Sequence, residues 1–568
     1  MKEIKSLNNE NIGEYTSIFA LGGIEEIGKN MYVIEYKDEI WIIDCGVKFV
    51  DKNVYLGFTS IVCPFEYIEQ NIDKVQGLVI THAHEDHIGG IPFLLKQVKF
   101  PKIYCAKLTK AIIENKLKEH KDVHPFDFEI IQDDTIIKSK HFSIDFFRVC
   151  HSIPDAFGIC FNTPTGNIVT TGDFRFDFLT KGDESDIWKM AEIGKRDIDV
   201  LLCESTNAQT PGFSVSEKYI IDELRREIKV GQGRIFVTIF ASNLNRIEEV
   251  IEIAINNKRK IILGGRSMIN NVGVSLKLGM LNVSKNNFIE MKDIEHFPDN
   301  ELLFLTTGSQ GEEMAALNQI ANGNHMFIKF KPTDTIIFSS NPIPGNFESV
   351  ENLLNKLCKS GVKINISTSE KKIHSTGHAT QTELQLLIKL INPRYIVPIH
   401  GEFKMLTALK RNGEYVGINP NNLLIVVNGQ KVKLYSGHKA EATNEFVDIY
   451  DNFVDGNKVD KDISNLLKYR QILSSDGIVS IVLTIDEKNK IIDQLPIFSN
   501  RGGFHSQSST DLISKIIHSI KENVGSILSN SNIIDEDEIK KNVQSTVEFF
   551  IWKNKKRKPL VKTIIFRK

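Results

Sequence analysis

Seven consecutive residues, Thr81-His82-Ala83-His84-Glu85-Asp86-His87, gather three imidazoles and two carboxylates. The apolar run before them, GLVI, reads as a buried strand that breaks into a polar cluster. A strand end presents residues i and i+2 on one side, so His82 and His84 can reach one metal ion together. Asp86 and His87 follow at the start of a turn and can reach a second ion beside it. Imidazole with carboxylate suits zinc, and also manganese or magnesium. The bland alternative is a chance gathering on a solvated loop. With 15 histidines in 568 residues, three within six positions fit chance poorly, and a strand end is where metal sites are built.

The elements that would position these residues alternate between strand and helix patterns. TSIFALGG, MYVIEY and EIWIIDCG read as three short strands, with Lys37-Asp38 as a hairpin turn. NIVTTGDFRFD and DVLLCESTNA each repeat the strand-then-acid pattern. Between residues 212 and 370, SEKYIIDELRREI, NLNRIEEVIEIAIN and SVENLLNKLCK have helical apolar spacing. The intervening GRIFVTIF, KIILGG, LLFLTTG and DTIIFSS read as strands. Such alternation implies α/β layers. Residues 436–465 are polar and acidic and read as a linker; the last hundred or so form a small separate α+β unit.

Length, at roughly 100–200 residues per domain, allows about three or four domains. Hydrophobic residues make up 41% and charged residues 25%, as in ordinary soluble proteins. The net charge of −2 supplies no global field for a polyanion, so nucleic-acid binding would need a local patch or metal ions. Seven scattered cysteines, none in a C-x-x-C pair, argue against a disulfide framework and for a reducing cytoplasm. The polar first residues lack the apolar core of a signal peptide, and no run of about 18 apolar residues predicts a membrane span.

The pattern H-x-H-x-D-H resembles the signature of the metallo-β-lactamase superfamily. That resemblance implies further ligands: His151 in RVCHSIPD, a bridging Asp173 in TTGDFRFD and His400 in IVPIHGE. It also implies a strand-end aspartate, Asp44 in IIDCG, which orients ligand histidines by hydrogen bonding. Taken singly, His151 and His400 would more often be core or loop histidines and Asp173 a turn residue; their order and strand-end contexts argue otherwise. An insert of about 160 residues, with Glu204 in LLCESTNA before it and His378 in HSTGHA after it, resembles the β-CASP nucleases. A histidine at position 400 resembles the RNA-processing members. Longer strings, among them GGIEEIGKNMYVIEY, THAHEDHIGGIPFLL, CHSIPDAFGI, ESTNAQTPGFSVSE, TGSQGEEMAAL, NPIPGN and PIHGEF, are similar to bacterial ribonuclease J over residues 18–440 and more loosely to the end. Departures are Ala83 for a usual glycine, Glu313 and Phe347 for a usual proline and glutamate, and Thr376 in the HSTGH loop. None removes a ligand.

The resemblance implies an αββα metallo-β-lactamase sandwich (residues 1–208 and 373–445) with a β-CASP α/β insert (209–372). A linker (446–465) and a C-terminal α+β domain (466–568) follow. It implies a ribonuclease with 5′-to-3′ exonuclease and endonuclease activity in RNA maturation and mRNA decay. Two divalent ions, zinc with manganese or magnesium as alternatives, would be held by His82, His84 and His151 and by Asp86, His87 and His400, with Asp173 between them. Such a pair activates a water and neutralises phosphate charge. His378, oriented by Glu204, would protonate the leaving oxygen. A pocket for the 5′-terminal phosphate would be walled by His374, Ser375, Thr376, Gly377 and His378 and by Ser242, Asn243 and Leu244, although a serine- and glycine-rich turn reads equally well as structural. Expected partners are single-stranded RNA and a second copy, as homodimer or tetramer, or a paralogue. Eight Lys or Arg between 553 and 568, with no acid, read first as a solvated edge that blunts strand pairing, and second as an RNA contact.

Three other functions stay in competition. A small-substrate metallo-hydrolase has no use for the insert, Glu204 or His378. A non-catalytic RNA-binding subunit would carry degenerate ligands. A DNA nuclease of the same group is disfavoured by His400.

Overall fold

The computed structural model describes residues 13–568 apart from 52–53, 180–183, 311–314, 343–345, 369, 506 and 531–533. Glu313 and parts of the TGSQGEEMAAL and NPIPGN strings lie outside the described residues. The chain forms two compact units. The larger contains residues 13–49 and Ser60–Asn452, and the smaller is mainly Asp460–Lys568.

Two sheets make the core of the larger unit. One has eight strands, with Glu39–Ile43 parallel to Val75–Val79 at its centre. The other has six: Tyr395–Ile399, Ile198–Glu204, Gly166–Thr170, Phe157–Thr163, Ser143–Arg148 and Ile136–Lys138, in that spatial order. The central strands are apolar on both faces, as strands covered on both sides must be. Phe146, Ile168, Val200, Leu202 and Val397 point inward, against Ile34, Trp41 and Leu434 of the first sheet. Their neighbours Phe147, Val169, Leu201, Cys203 and Ile396 point outward and are covered by the helices Ile187–Gly194, Gln381–Ile391 and Phe403–Tyr415. The period of two along each strand sorts the residues into an inter-sheet layer and a sheet–helix layer. The result is the expected αββα sandwich.

The insert carries its own sheet, Lys260–Gly264, Leu302–Thr306, Ile235–Thr238, Thr335–Phe338 and Lys363–Asn365, paired in parallel throughout. Phe236 and Phe304 stack at 4.3 Å in its core. The stretches read as helices in the sequence are the helices Glu217–Val230, Leu244–Asn256 and Phe347–Lys359.

The smaller unit is a sheet backed by two helices. Its central strand Ile478–Asp486 alternates buried and half-buried residues, and the buried set (Val479, Ile481, Leu483, Ile485) packs on Thr510–Asn530 and Glu536–Lys555. The expected linker at 446–465 is not an irregular stretch. It holds the strands Asn452–Asp455 and Lys458–Asp460, and the helix Ser464–Ser475 begins within it. Just before it, Lys439–Phe446 is a strand of the eight-stranded sheet. The exposed polar residues sit on the edge strands Lys439–Phe446 and Lys458–Asp460, whereas Asn452–Asp455 is paired on both sides and buries Asn452, Phe453 and Val454.

Strand direction positions the site. Gly166–Thr170, Ile198–Glu204 and Tyr395–Ile399 run parallel. Two antiparallel steps bring Ser143–Arg148 into the same direction. The C-terminal ends of these four strands, and of the parallel pair in the first sheet, each carry one element of the site.

Candidate metal centre

Asp44 follows Ile43, His82 follows the strand Val75–Val79, His151 follows Arg148, Asp173 follows Thr170, Glu204 ends its strand and His400 follows Ile399. Separations of up to 356 residues in sequence thus collapse onto one edge. Ligating atoms of His82, His84, His151 and Asp173 all lie within 4.8 Å of one another, as do those of Asp86, His87, Asp173 and His400 and those of Asp173, Glu204 and His378. Asp173 belongs to all three groups, and its Oδ2 lies toward all of them. It sits 3.6 Å from His82 Nε2, 3.2 Å from His87 Nε2, 3.4 Å from His400 Nε2 and 3.8 Å from His378 Nδ1.

Hydrogen bonds fix which nitrogen of each ring faces this centre. Asp44 accepts from the Thr81 backbone N–H at 2.8 Å and from the Thr81 hydroxyl at 2.8 Å. A hydroxyl has one hydrogen, so Thr81 Oγ1 must accept from His82 Nδ1, 3.0 Å away. Asp44 Oδ2 also accepts from His87 Nδ1 at 2.7 Å, and the Gly377 carbonyl accepts from His151 Nδ1 at 2.7 Å. His82 and His151 therefore carry their hydrogen on Nδ1 and turn a bare Nε2 inward. His87 also carries one on Nδ1, but its Nε2 faces Asp173 at 3.2 Å. Burial opposes a charge on His87, yet Asp173, Asp86 and Asp44 outweigh it and raise this imidazole well above the usual range, a charge that a bound cation would replace. His84 is reversed: its Nε2 meets the Ser242 hydroxyl at 3.1 Å, and its Nδ1 lies 3.1 Å from His82 Nε2 and 3.0 Å from His151 Nε2. Two acceptor nitrogens at that distance repel unless a cation or proton lies between them. His400 is buried, and neither of its ring nitrogens has a hydrogen-bond partner in the described residues. An orphaned imidazole facing a buried carboxylate, with five further oxygen and nitrogen donors around it, fits a pair of divalent ions.

The electrostatics agree. Burial holds His82 and His151 well below the usual imidazole range and brings His84 down to about 4, so all three are neutral and ready to ligate at neutral pH. Burial works against the charge of Asp173, but His400, His87 and His378 outweigh it and keep the carboxyl well below its usual range. Burial also opposes a charge on His378, yet Glu204 and Asp173 raise it to about 9. Glu204 Oε2 accepts from His378 Nδ1 at 2.8 Å, and its Oε1 accepts from the Phe174 N–H at 2.8 Å. Burial pushes the Glu204 carboxyl above its usual range, against the pull of His378 and the Phe174 N–H.

Local backbone makes room for this packing. Asp44 (φ 59°) and His400 (φ 51°) sit in the left-handed region, which aspartate and histidine enter more readily than most residues. A Cβ on Gly377 would stand 2.8 Å from His151 Cε1, so the loop can approach that ring only as glycine.

The remaining expected residues divide. Ser242 reaches His84. Asn243 instead caps the helix Leu244–Asn256, its side chain accepting from the Arg246 N–H at 3.2 Å, and Leu244 is buried. Ser375 is bonded to the Val215 carbonyl and accepts from Arg175 Nη1 at 3.0 Å. Thr376 Oγ1 accepts from Asn207 Nδ2 at 2.6 Å and from the His378 N–H at 3.1 Å. His374 Nδ1 meets Arg246 Nη1 at 3.1 Å; burial, with the Arg246 charge, lowers this imidazole to about 3. These loop groups thus mostly hold the loop itself.

Several participants were not read from the sequence. Thr81 relays Asp44 to His82. Asn30 Nδ2 lies 3.2 Å from His87 Nε2 and donates to the Asp86 carbonyl at 3.1 Å. Beneath the loop, Arg246 forms a bidentate ion pair with Glu217, both buried, and Arg175 pairs with Asp177 at 3.0 Å. Asn30, Thr81 and Asn207 lie inside strings that resemble the family, which was the available signal; their partners were not. Among the described residues, no helix is long and apolar enough to cross a membrane.

Comparison with known proteins identifies four matching family models. They are the metallo-β-lactamase superfamily (residues 25–227), the ribonuclease J β-CASP domain (232–357), a Zn-dependent metallo-hydrolase RNA specificity domain (363–423) and the ribonuclease J C-terminal domain (465–568). Ribonuclease J of Mycoplasma pneumoniae is 47% identical over 97% of both chains. Ribonuclease J 1 of Streptococcus pyogenes is 42% identical over 87% of this chain and 88% of its own. Ribonuclease J2 of Bacillus subtilis is 33% identical over 99% of this chain and all of its own. A crystal structure of a protein of unknown function from Enterococcus faecalis shares the fold at a TM-score of 0.54 and 18% identity, over 74% of this chain and all of that one.

Proposed function

The chain belongs to the ribonuclease J family, and from that premise we propose a metal-dependent ribonuclease that removes nucleotides from the 5′ end of single-stranded RNA and also cuts internally. The convergence of the two imidazole clusters and the Glu204–His378 pair on Asp173 Oδ2 carries this reading.

His82, His84 and His151 would hold one divalent ion, and Asp86, His87 and His400 the other, with Asp173 shared. Zinc is our choice for a set so rich in neutral imidazole. When bound, the two ions supply a nucleophilic water and offset charge on the scissile phosphate. Asp44 and Thr81 keep the ligand rings in the right tautomer. His378, its Nδ1 tied to Glu204, presents Nε2 as the proton donor to the leaving ribose oxygen, and Glu204 stabilises the charged ring before it gives up that proton. Ser242, on the insert, brings the second wall of the groove against ligand His84. With Thr376 and Gly377 it is our candidate for the 5′-phosphate pocket, while Asn243, Leu244, His374 and Ser375 shape it from behind. Single-stranded RNA is the partner, and a homodimer or tetramer, or assembly with a paralogue, is the proposed state. The cytoplasm is the proposed compartment, in keeping with seven cysteines that form no disulfide among the described residues.

The test is cleavage of single-stranded RNA labelled at a 5′ monophosphate or 5′ triphosphate, with chelator or with added Zn²⁺, Mn²⁺ or Mg²⁺. Early release of labelled mononucleotide from the monophosphate RNA, blocked by chelator, is expected. Equal rates from both ends would remove the pocket, internal fragments alone would remove the exonuclease, and no cleavage with any metal would overturn the reading.

A further inference from the structure

The last helix of the smaller unit, Glu536–Lys555, has one face to explain. Ile539, Val543, Val547 and Ile551 pack into the core. On the opposite face Phe549 is 59% exposed and Trp552 47% exposed. Lys556 and Lys558 place their ammonium groups 5.5 and 5.3 Å from the Trp552 ring centroid, and Lys553 lies 5.7 Å from that of Phe549. Three carboxylates of this unit are engaged elsewhere: Glu536 by Lys540 and Arg567, Glu487 by Arg567, Asp493 by Lys568. Glu548, the acid nearest in sequence, accepts from Gln544 at 2.7 Å. Among the described residues, Lys553, Lys556 and Lys558 pair with no carboxylate.

We propose that this aromatic and basic face, Phe549 and Trp552 with Lys553, Lys556 and Lys558, is an accessory binding surface for single-stranded RNA. Lysines in the last helical turn would be explained by the helix dipole alone. Two large exposed rings among them are not, since leaving them in water forfeits burial. Rings on which bases stack, beside cations that meet phosphates, form the pattern by which proteins hold single strands without regard to sequence. A second copy meeting this face through a two-fold axis would bring like charges together. Charge complementarity therefore selects a polyanion. The long, flexible lysine stems let the ammonium groups leave the rings for phosphates when bases arrive. This proposal rests on RNA being the substrate.

The experiment uses the full chain in chelator, with binding of a five-nucleotide and a roughly 30-nucleotide RNA followed by fluorescence anisotropy across a salt series, the longer being enough to span a second contact of 4–16 nucleotides. The variants are Trp552→Ala and the triple Lys553→Gln, Lys556→Gln, Lys558→Gln. Trp552→Ala is expected to weaken the long RNA at least about fivefold, the low end of one lost stacking contact. The triple variant is expected to lower the slope of log K against log salt by about 2, from three single-strand phosphate contacts. Both should bind the short RNA, and with metal restored cleave it, as the unmodified chain does. Unchanged long-RNA affinity and slope would overturn the proposal. So would a change of assembly state in sedimentation, which would assign the face to contacts between copies. Failure of the unmodified chain to cleave the short RNA would instead strike the substrate assignment beneath it.

Discussion

Replacing Asp44 by asparagine isolates the most economical device in the site. Asparagine has the same shape and tolerates the left-handed backbone that Asp44 occupies (φ 59°). The change is therefore confined to chemistry. The carboxylate accepts three hydrogen bonds: from the Thr81 N–H, the Thr81 hydroxyl and His87 Nδ1. An amide offers one oxygen and one NH₂. If the oxygen keeps the Thr81 N–H, the NH₂ faces His87 and the Thr81 hydroxyl. His87 must then accept at Nδ1 and carry its hydrogen on Nε2, where it points at Asp173 and blocks ligation. Restoring the useful tautomer forfeits the bond from His87 to Asp44. A hydrogen bond to a charged group contributes about 1.5–3 kcal/mol, equivalent to about 10- to 150-fold in affinity. That range overlaps the ~10–100-fold effect usual for partners that orient metal ligands. The assay is metal affinity by competition with a chromogenic chelator, paired with RNA cleavage as a function of free metal. Asp44→Asn should bind the more weakly held ion about 10–150 times less tightly, and saturating metal should recover most of the rate. Metal affinity within about threefold of the unmodified chain would refute the tautomer relay.

Glu204→Gln removes the carboxylate whose attraction, against burial, raises His378 to about 9. A raised pKa means that the protonated donor is present below it and is lost as pH rises through it. The alkaline fall of kcat/KM should move to lower pH in Glu204→Gln, and coincident profiles would exclude His378 as the donor. Arg246→Met removes the bidentate partner of the buried Glu217 carboxylate, whose pKa the Arg246 charge chiefly holds down against burial, and leaves it only the more distant Arg175 at 3.6 Å. Loss of one member of a buried pair costs about 3–5 kcal/mol, so the denaturant midpoint should fall clearly. Adding Glu217→Gln should return part of the loss; no difference between single and double variants would show that the pair does not hold the loop.

The sequence by itself determined what is local. His82, His84, Asp86 and His87 were legible as candidates because a strand end followed by a turn needs only seven residues to bring four donor groups together. The alternation of apolar runs gave the α/β layers, because a strand covered on both faces must be apolar on both. His151, Asp173, His400, Glu204 and His378 were reached through resemblance, since nothing in their own neighbourhoods distinguishes them from core or turn residues. Only the tertiary structure decided the rest. Asp173 gains its meaning from parallel strand direction, which places three strand ends of distant sequence on one edge. Tautomers depend on Thr81, oriented by Asp44 from another strand end, and on Gly377 and Ser242 from other loops, pairings that no local pattern announces. Asn243 and Leu244 went to a helix cap and to the core because a helix start must satisfy its own N–H groups first. Residues 446–465 looked like a linker because their composition is a loop's, and only pairing shows that Asn452–Asp455 is a buried strand. Composition records which residues tolerate water, and pairing decides which of them become strands.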